Sequence, residues 1–94
     1  MHNLEQYYTE EAWRMFSALY MNDWTNSPSQ QILLKQLNNE TDISATVVGI
    51  YGDAYCNQII FQKIPALDNL SILDCMGSIK LRNRLKEMLM RCPY

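Results

Sequence analysis

The chain has 94 residues, of which 48% are hydrophobic and 19% charged, and its formal net charge is −2. This length predicts one domain, residues 1–94, and this composition excludes the disordered class. No apolar run approaches the roughly 18 residues of a membrane span, and the N-terminal residues lack the basic and apolar regions of a secretory signal.

The first predicted element is an amphipathic helix over residues 3–21, with Asn3 as its N-cap. Its main apolar stripe, which we expect to face the core, comprises Leu4, Tyr8, Ala12, Met15, Phe16 and Leu19. Ser17 falls on the opposite side, where we expect solvent. Trp13 and Tyr20 make the apolar side wider than one helix needs for its own packing.

A second helix is predicted to begin at Ser27-Pro28-Ser29-Gln30, which combines a serine cap, a proline in the first helical position and a glutamine in the third. It should run through Leu37 and end in the polar residues 38–42.

The middle of the chain changes character. Residues 44–51 and 55–64 are rich in β-branched and aromatic side chains, and Gly52-Asp53-Ala54 between them suits a turn. This pattern predicts an antiparallel hairpin. A helix-turn-helix is the alternative, but the serial β-branched residues Thr46, Val47 and Val48 are poor helix formers.

Two helices are predicted to complete the fold. A short one over residues 70–76 would be capped by Asp68 or Asn69 and ended by Gly77, and a longer one would begin at the cap Ser78 and end near Arg91. The apolar stripe of the longer helix comprises Leu81, Leu85, Met88, Leu89 and Cys92. The expected fold is therefore α+β, in the order α-α-β-β-α-α, with the central hairpin packed on helices.

The chain is poor in groups that carry out catalysis. His2 is its one histidine, its three cysteines (Cys56, Cys75 and Cys92) are widely spaced without a C-x-x-C pair, and three glycines leave no phosphate-binding loop. We therefore expect no enzyme, no metal site and no cofactor. The cysteine pattern also favours reduced thiols and a cytoplasmic location.

The charges are divided unevenly along the chain. Residues 1–77 have a net charge of −6 and residues 78–94 a net charge of +4. One interpretation is a helix-turn-helix regulator whose basic final helix, residues 78–91, binds DNA. Its contact residues would be Lys80, Arg82, Asn83, Arg84 and Lys86. The acidic body and the pI of about 5.2 argue against it, because nucleic-acid-binding domains are typically basic.

We favour protein–protein binding as the function, because aromatic residues, which are enriched at interfaces, concentrate near the N-terminus. The candidate contact residues are Tyr7, Tyr8, Trp13, Tyr20 and Trp24. The predicted protein is a small, non-catalytic regulator or inhibitor of another protein, of the kind that phages and plasmids encode. A homodimer is one arrangement that would cover these rings.

Overall fold

Six α-helices and two 3₁₀ turns form the regular structure of residues 4–91, the part whose backbone the computed structural model describes, with side chains described from Gln6 onward. The helices are α1 (Glu10–Met21), α2 (Pro28–Gln36), α3 (Thr41–Tyr51), α4 (Cys56–Ile59), α5 (Ile72–Cys75) and α6 (Ile79–Met90). The 3₁₀ turns are Leu4–Tyr7 and Pro65–Leu67.

The predicted α+β fold with a central hairpin is wrong. Residues 44–51 lie within α3, and the segment predicted as the second strand contains α4. Between residues 4 and 91 the backbone forms no β-strand, and its β pairing is one isolated antiparallel bridge between Ile64 and Leu70. The described chain is therefore all-α.

Burial of α3 explains why its sequence resembles a strand. Five consecutive residues, Ile43, Ser44, Ala45, Thr46 and Val47, are buried, so neighbours surround this part of the helix. A helix that is buried all round has no polar face, and the 3.6-residue period that identifies helices disappears. The Thr46 hydroxyl donates to the Asp42 carbonyl at 2.8 Å, which satisfies a buried polar group. Tertiary packing thus outweighs the low helix propensity of α3.

The helix-start predictions at two serines are confirmed. The Ser27 hydroxyl accepts a hydrogen bond from the Gln30 backbone N–H at 3.2 Å, and the Ser78 hydroxyl accepts one from the Leu81 N–H at 3.1 Å. These bonds satisfy donors that the first helical turn leaves without partners. α2 and α6 therefore begin where the sequence predicts.

The cap predicted for the helix over residues 70–76 is wrong. Asp68 and Asn69 both adopt left-handed backbone conformations, with φ of 57° and 65°, and α5 begins instead after Ser71. The predicted cap Asn3 lies outside the described residues. α1 begins seven residues later, at Glu10, where the Thr9 hydroxyl accepts from the Ala12 N–H at 3.3 Å.

α1 packs on α3 through a different face from the predicted one. Trp13 and Ser17 are its buried residues, and Phe16 and Tyr20 are half-buried beside them. At 100° per residue, this face is rotated by about a third of a turn from the predicted stripe. Trp13 is part of the hydrophobic core.

All six described helices and the Pro65–Leu67 turn contribute side chains to the core, and α6 also packs against the N-terminal 3₁₀ turn. Leu85, Met88 and Leu89 of α6 are buried, as its predicted apolar stripe requires, and Leu81 is half-buried. Cys92, the last member of that stripe, lies outside the described residues. Cys56 and Cys75 are buried and free.

Candidate interaction surface

The five aromatic residues predicted to contact a partner occupy very different environments. Trp13 is 0% exposed and its indole N–H donates to Asp42 Oδ2 at 2.7 Å, so it is a core residue. Tyr8, Tyr20 and Trp24 are half-buried. Only Tyr7 among the five is exposed, and the guanidinium carbon of Arg91 lies 4.9 Å from its ring centroid. The aromatic residues therefore do not form one continuous exposed patch.

Tyr8 joins the N-terminal turn to α1 through a short polar contact. Its hydroxyl donates to Glu10 Oε1 at 2.6 Å. Burial, followed by this bond and the negative charge of Glu10, raises the pKa of the Tyr8 phenol. The same hydrogen bond, assisted by the nearby Lys86 and Arg14 charges, lowers the pKa of the Glu10 carboxyl. The pair is therefore a neutral phenol bound to a carboxylate at neutral pH.

Lys86 of α6 lies against this aromatic group. Its ammonium nitrogen is 5.5 Å from the ring centroid of Tyr8 and 5.6 Å from that of Trp13. A cation at this distance from an aromatic face is attracted by the ring quadrupole. Lys86, one of the predicted DNA contacts, therefore helps to hold the N-terminal segment on α6.

The arginines of the basic C-terminal segment are also paired within the chain. Arg84 is 8% exposed and its Nη1 lies 3.0 Å from Asp68 Oδ2, and Arg82 Nη1 lies 4.0 Å from Glu40 Oε2. Arg91 Nε lies 2.7 Å from Glu87 Oε2.

The two remaining predicted DNA contacts are Lys80, which is exposed, and Asn83, which is half-buried. Lys80 also takes part in an interaction within the chain. α6 thus uses much of its positive charge to stabilise the fold, and the DNA-binding interpretation stays a prediction.

α1 has an exposed apolar surface that the sequence did not predict. Residues spaced three and four apart lie on one side of a helix, and the side opposite Trp13 and Ser17 faces solvent. We name this side the outer stripe, and it consists of Glu11, Met15, Ala18, Leu19 and Asn22. Met15 is 70% exposed and Leu19 is 65% exposed. Both residues belong to the stripe that the sequence predicted to face the core. Their apolar spacing was therefore visible in the sequence, but this side of the helix faces solvent.

A polar cluster holds the start of α2 against the loop between α3 and α4. The Gln30 side chain is buried, with Nε2 donating to Asp53 Oδ1 at 3.2 Å and Oε1 accepting from the Asn26 N–H at 2.9 Å. The Asn57 amide donates to the Ser29 carbonyl at 3.0 Å. These bonds join the residues before α2, the start of α2 and the region from the α3–α4 loop into α4. Both polar atoms of the Gln30 side chain have hydrogen-bond partners. The arrangement is a structural clamp.

Two buried cysteines are free in the described part of the chain, and one of them lies beside this cluster. Cys56 Sγ donates to the Asp53 carbonyl at 3.4 Å, and burial raises the pKa of the Cys75 thiol to about 11. The thiolate is the reactive form of cysteine, so Cys75 is essentially unreactive at neutral pH.

Within residues 4–91 no group of three or more His, Cys, Asp or Glu side chains is placed to hold a metal ion. None of the helices described in this range is long and apolar enough to cross a bilayer. Comparison of the chain with protein-family models, with curated protein sequences and with solved structures gave no match.

Proposed function

We propose that this chain is a small non-catalytic protein that regulates or inhibits another protein by binding it, and that the outer stripe of α1 is the contact surface. The observation that carries the proposal is the exposure of Met15 and Leu19, four residues apart on the same face of a well-capped helix. Burying apolar surface contributes about 25 cal/mol per Å². A partner that covers both side chains would therefore gain binding energy without any change in this fold.

The geometry of α1 suits this role. Trp13 anchors the opposite side of the helix in the core and is fixed by its hydrogen bond to Asp42. A helix that is held on one side presents its exposed side chains with little loss of conformational freedom on binding, and such pre-organisation raises affinity. Recognition of a helix face through residues at i and i+4 is a recurring mode of protein binding.

The proposal is tested by site-specific photo-crosslinking in cells that naturally contain the protein. A photoreactive amino acid replaces Met15 in one variant and Gln36, an exposed residue of α2, in a control variant. The expected result is a discrete protein adduct from position 15, absent from position 36 and lost when Leu19→Ser is added. The identified protein is then purified, and its affinity for the wild type and for Leu19→Ser is measured by calorimetry.

Equal affinity of the partner for the wild type and for Leu19→Ser would contradict the assignment of the surface. Turnover of a substrate by the purified protein, abolished by one polar substitution, would contradict a non-catalytic function.

A further inference from the structure

The charges at the two ends of the outer stripe are negative. Glu11 is exposed at its N-terminal end, and Asp23 is exposed just beyond its C-terminal end. Neither forms an ion pair with another residue in the described part of the chain. Arg14 is the only Lys or Arg between residues 6 and 24, and its Nε lies 3.7 Å from Glu10 Oε2. The apolar centre, Met15 and Leu19, is therefore bounded by carboxylates.

The C-terminal end of α1 adds to this negative character. The carbonyl groups of a helix C-terminus carry a partial negative charge, which a cation in the last turn usually balances. The last turn of α1 contains no basic residue. A positive side chain from a partner would thus meet both the Asp23 carboxylate and the end of the helix dipole.

A second copy of the chain fits this surface poorly. In a parallel pairing of two α1 helices, Glu11 would lie beside Glu11 of the other copy. In an antiparallel pairing centred between Met15 and Ala18, Glu11 of one copy would lie near Asn22 and Asp23 of the other. Both arrangements bring carboxylates together or leave them without a cation.

We infer that the outer stripe binds an amphipathic helix of a partner protein, whose apolar residues contact Met15 and Leu19 and whose flanking lysines or arginines pair with Glu11 and Asp23. The inference rests on the proposed function and adds the chemistry of the partner. Opposite charges at both ends would fix the position of the bound helix.

The inference is tested with fluorescent helical peptides of about 18 residues, long enough to cover α1. One peptide has leucines along one face and lysines elsewhere. A second replaces each lysine with glutamate, and a third has the composition of the first in an order that disperses the leucines. Binding to the full chain is measured by fluorescence anisotropy at low and at physiological salt.

The lysine peptide is expected to bind at least about tenfold more tightly than the glutamate peptide at low salt, with a smaller ratio as salt screens the exposed charges. Met15→Ser with Leu19→Ser should weaken its binding by about tenfold, which corresponds to about 1.4 kcal/mol. Glu11→Lys with Asp23→Lys should reverse the preference between the two peptides. Ile32→Ser, which changes an exposed apolar residue on α2, is the matched control and should have no effect.

Equal binding of the lysine and dispersed peptides, or no loss in Met15→Ser with Leu19→Ser, would overturn the inference. So would a wild-type dimer, detected by sedimentation, that these substitutions dissociate. The two proposals fail separately. One outcome is a crosslinked partner that requires Leu19 for binding and yet contacts it with an acidic or neutral surface. That result would support the proposed function and contradict the inference of a basic partner helix. A partner whose affinity does not depend on Leu19 would contradict both proposals.

Discussion

The ring of Tyr20 occupies the space in which a side chain at Gly49 would lie. A Cβ atom built on Gly49 would stand 2.8 Å from Cγ of that ring and closer still to Cδ1 and Cε1. Gly49 therefore lets α1 and α3 approach each other, and it does so in the last turns of a helix where glycine costs about 1 kcal/mol relative to alanine.

Gly49→Ala is predicted to destabilise the protein although it improves helix propensity, because Tyr20 must leave its position against Phe16, where the two rings meet edge to face at 5.3 Å. In a Tyr20→Ala background the same substitution should stabilise by up to about 1 kcal/mol, since the obstruction is gone. Urea unfolding of the four proteins in a double-mutant cycle measures how Gly49→Ala changes the free energy of unfolding in each background. A destabilising effect of equal size in both backgrounds would show that the ring is not the cause.

Trp13→Phe is predicted to cost at least about 2 kcal/mol, because Asp42 loses the indole donor and a fully buried ring becomes smaller. Asp42→Asn keeps an oxygen acceptor and should cost less. Trp24→Phe changes a half-buried tryptophan whose indole N–H has no hydrogen bond within residues 6–91, and it is the matched control. Urea unfolding followed by far-UV circular dichroism gives the loss of unfolding free energy for each of the three variants. Equal losses for Trp13→Phe and Trp24→Phe would contradict a structural role for the Trp13–Asp42 bond.

Acid is predicted to weaken the cap of α5. The Ser71 backbone N–H donates to Asp74 Oδ2 at 3.0 Å and the Ser71 hydroxyl interacts with the same residue, so the pKa of the Asp74 carboxyl lies below its ordinary value. A carboxyl whose pKa is lower in the folded state stabilises the fold above its unfolded pKa, about 4. That contribution is lost as pH falls through the folded pKa.

Asp74→Asn should therefore lower stability at pH 7 and reduce the further loss on acidification. Urea midpoints at several pH values measure both effects. Ser71→Ala removes the hydroxyl of the same cap and should also reduce stability, by about 1 kcal/mol. Parallel stability curves for Asp74→Asn and wild type below neutral pH would contradict the assignment.

The basic final helix provides a test of the DNA-binding alternative. Lys80→Ala with Arg82→Ala removes two positive charges and leaves the buried pair of Arg84 and Asp68 in place. We expect the wild type and this variant to show the same weak anisotropy change with a labelled duplex, at low and at physiological salt. Binding that falls steeply with salt and disappears in the variant would favour DNA recognition. Arg84→Ala is a poor substitute, because it would leave Asp68 without its partner and would lower stability.

Local signals in the sequence predicted the starts of α2 and α6 well. Ser27, Pro28 and Ser78 favour a helix start through contacts with residues only a few positions away in the chain. α3 could not be predicted in the same way. Its helical state depends on neighbours that cover Ser44, Ala45 and Thr46 on every side, and a single sequence contains no direct record of those contacts. β-branched residues in series then favour a strand on propensity alone.

The candidate site was only partly visible for a similar reason. Periodicity placed Met15 and Leu19 on one apolar stripe, but the face that meets the core is set by Trp13 and its acceptor Asp42, 29 positions away. Several cations of α6 were likewise predicted as ligands for phosphate. That interpretation stays a prediction. Within the fold Arg84 pairs with Asp68, a loop residue whose position follows only from the fold.

The burial of α3 has a consequence for aggregation. Residues 44–51 contain no charge and no proline, and their composition favours β structure. Segments of this type pair with one another when they are exposed to solvent. α1 covers α3 in the native state, so local opening of α1 would release a segment that is prone to form fibrils. Substitutions that loosen α1, including those at Trp13, should therefore shorten the time before the protein aggregates in concentrated solution, even where most molecules are still folded.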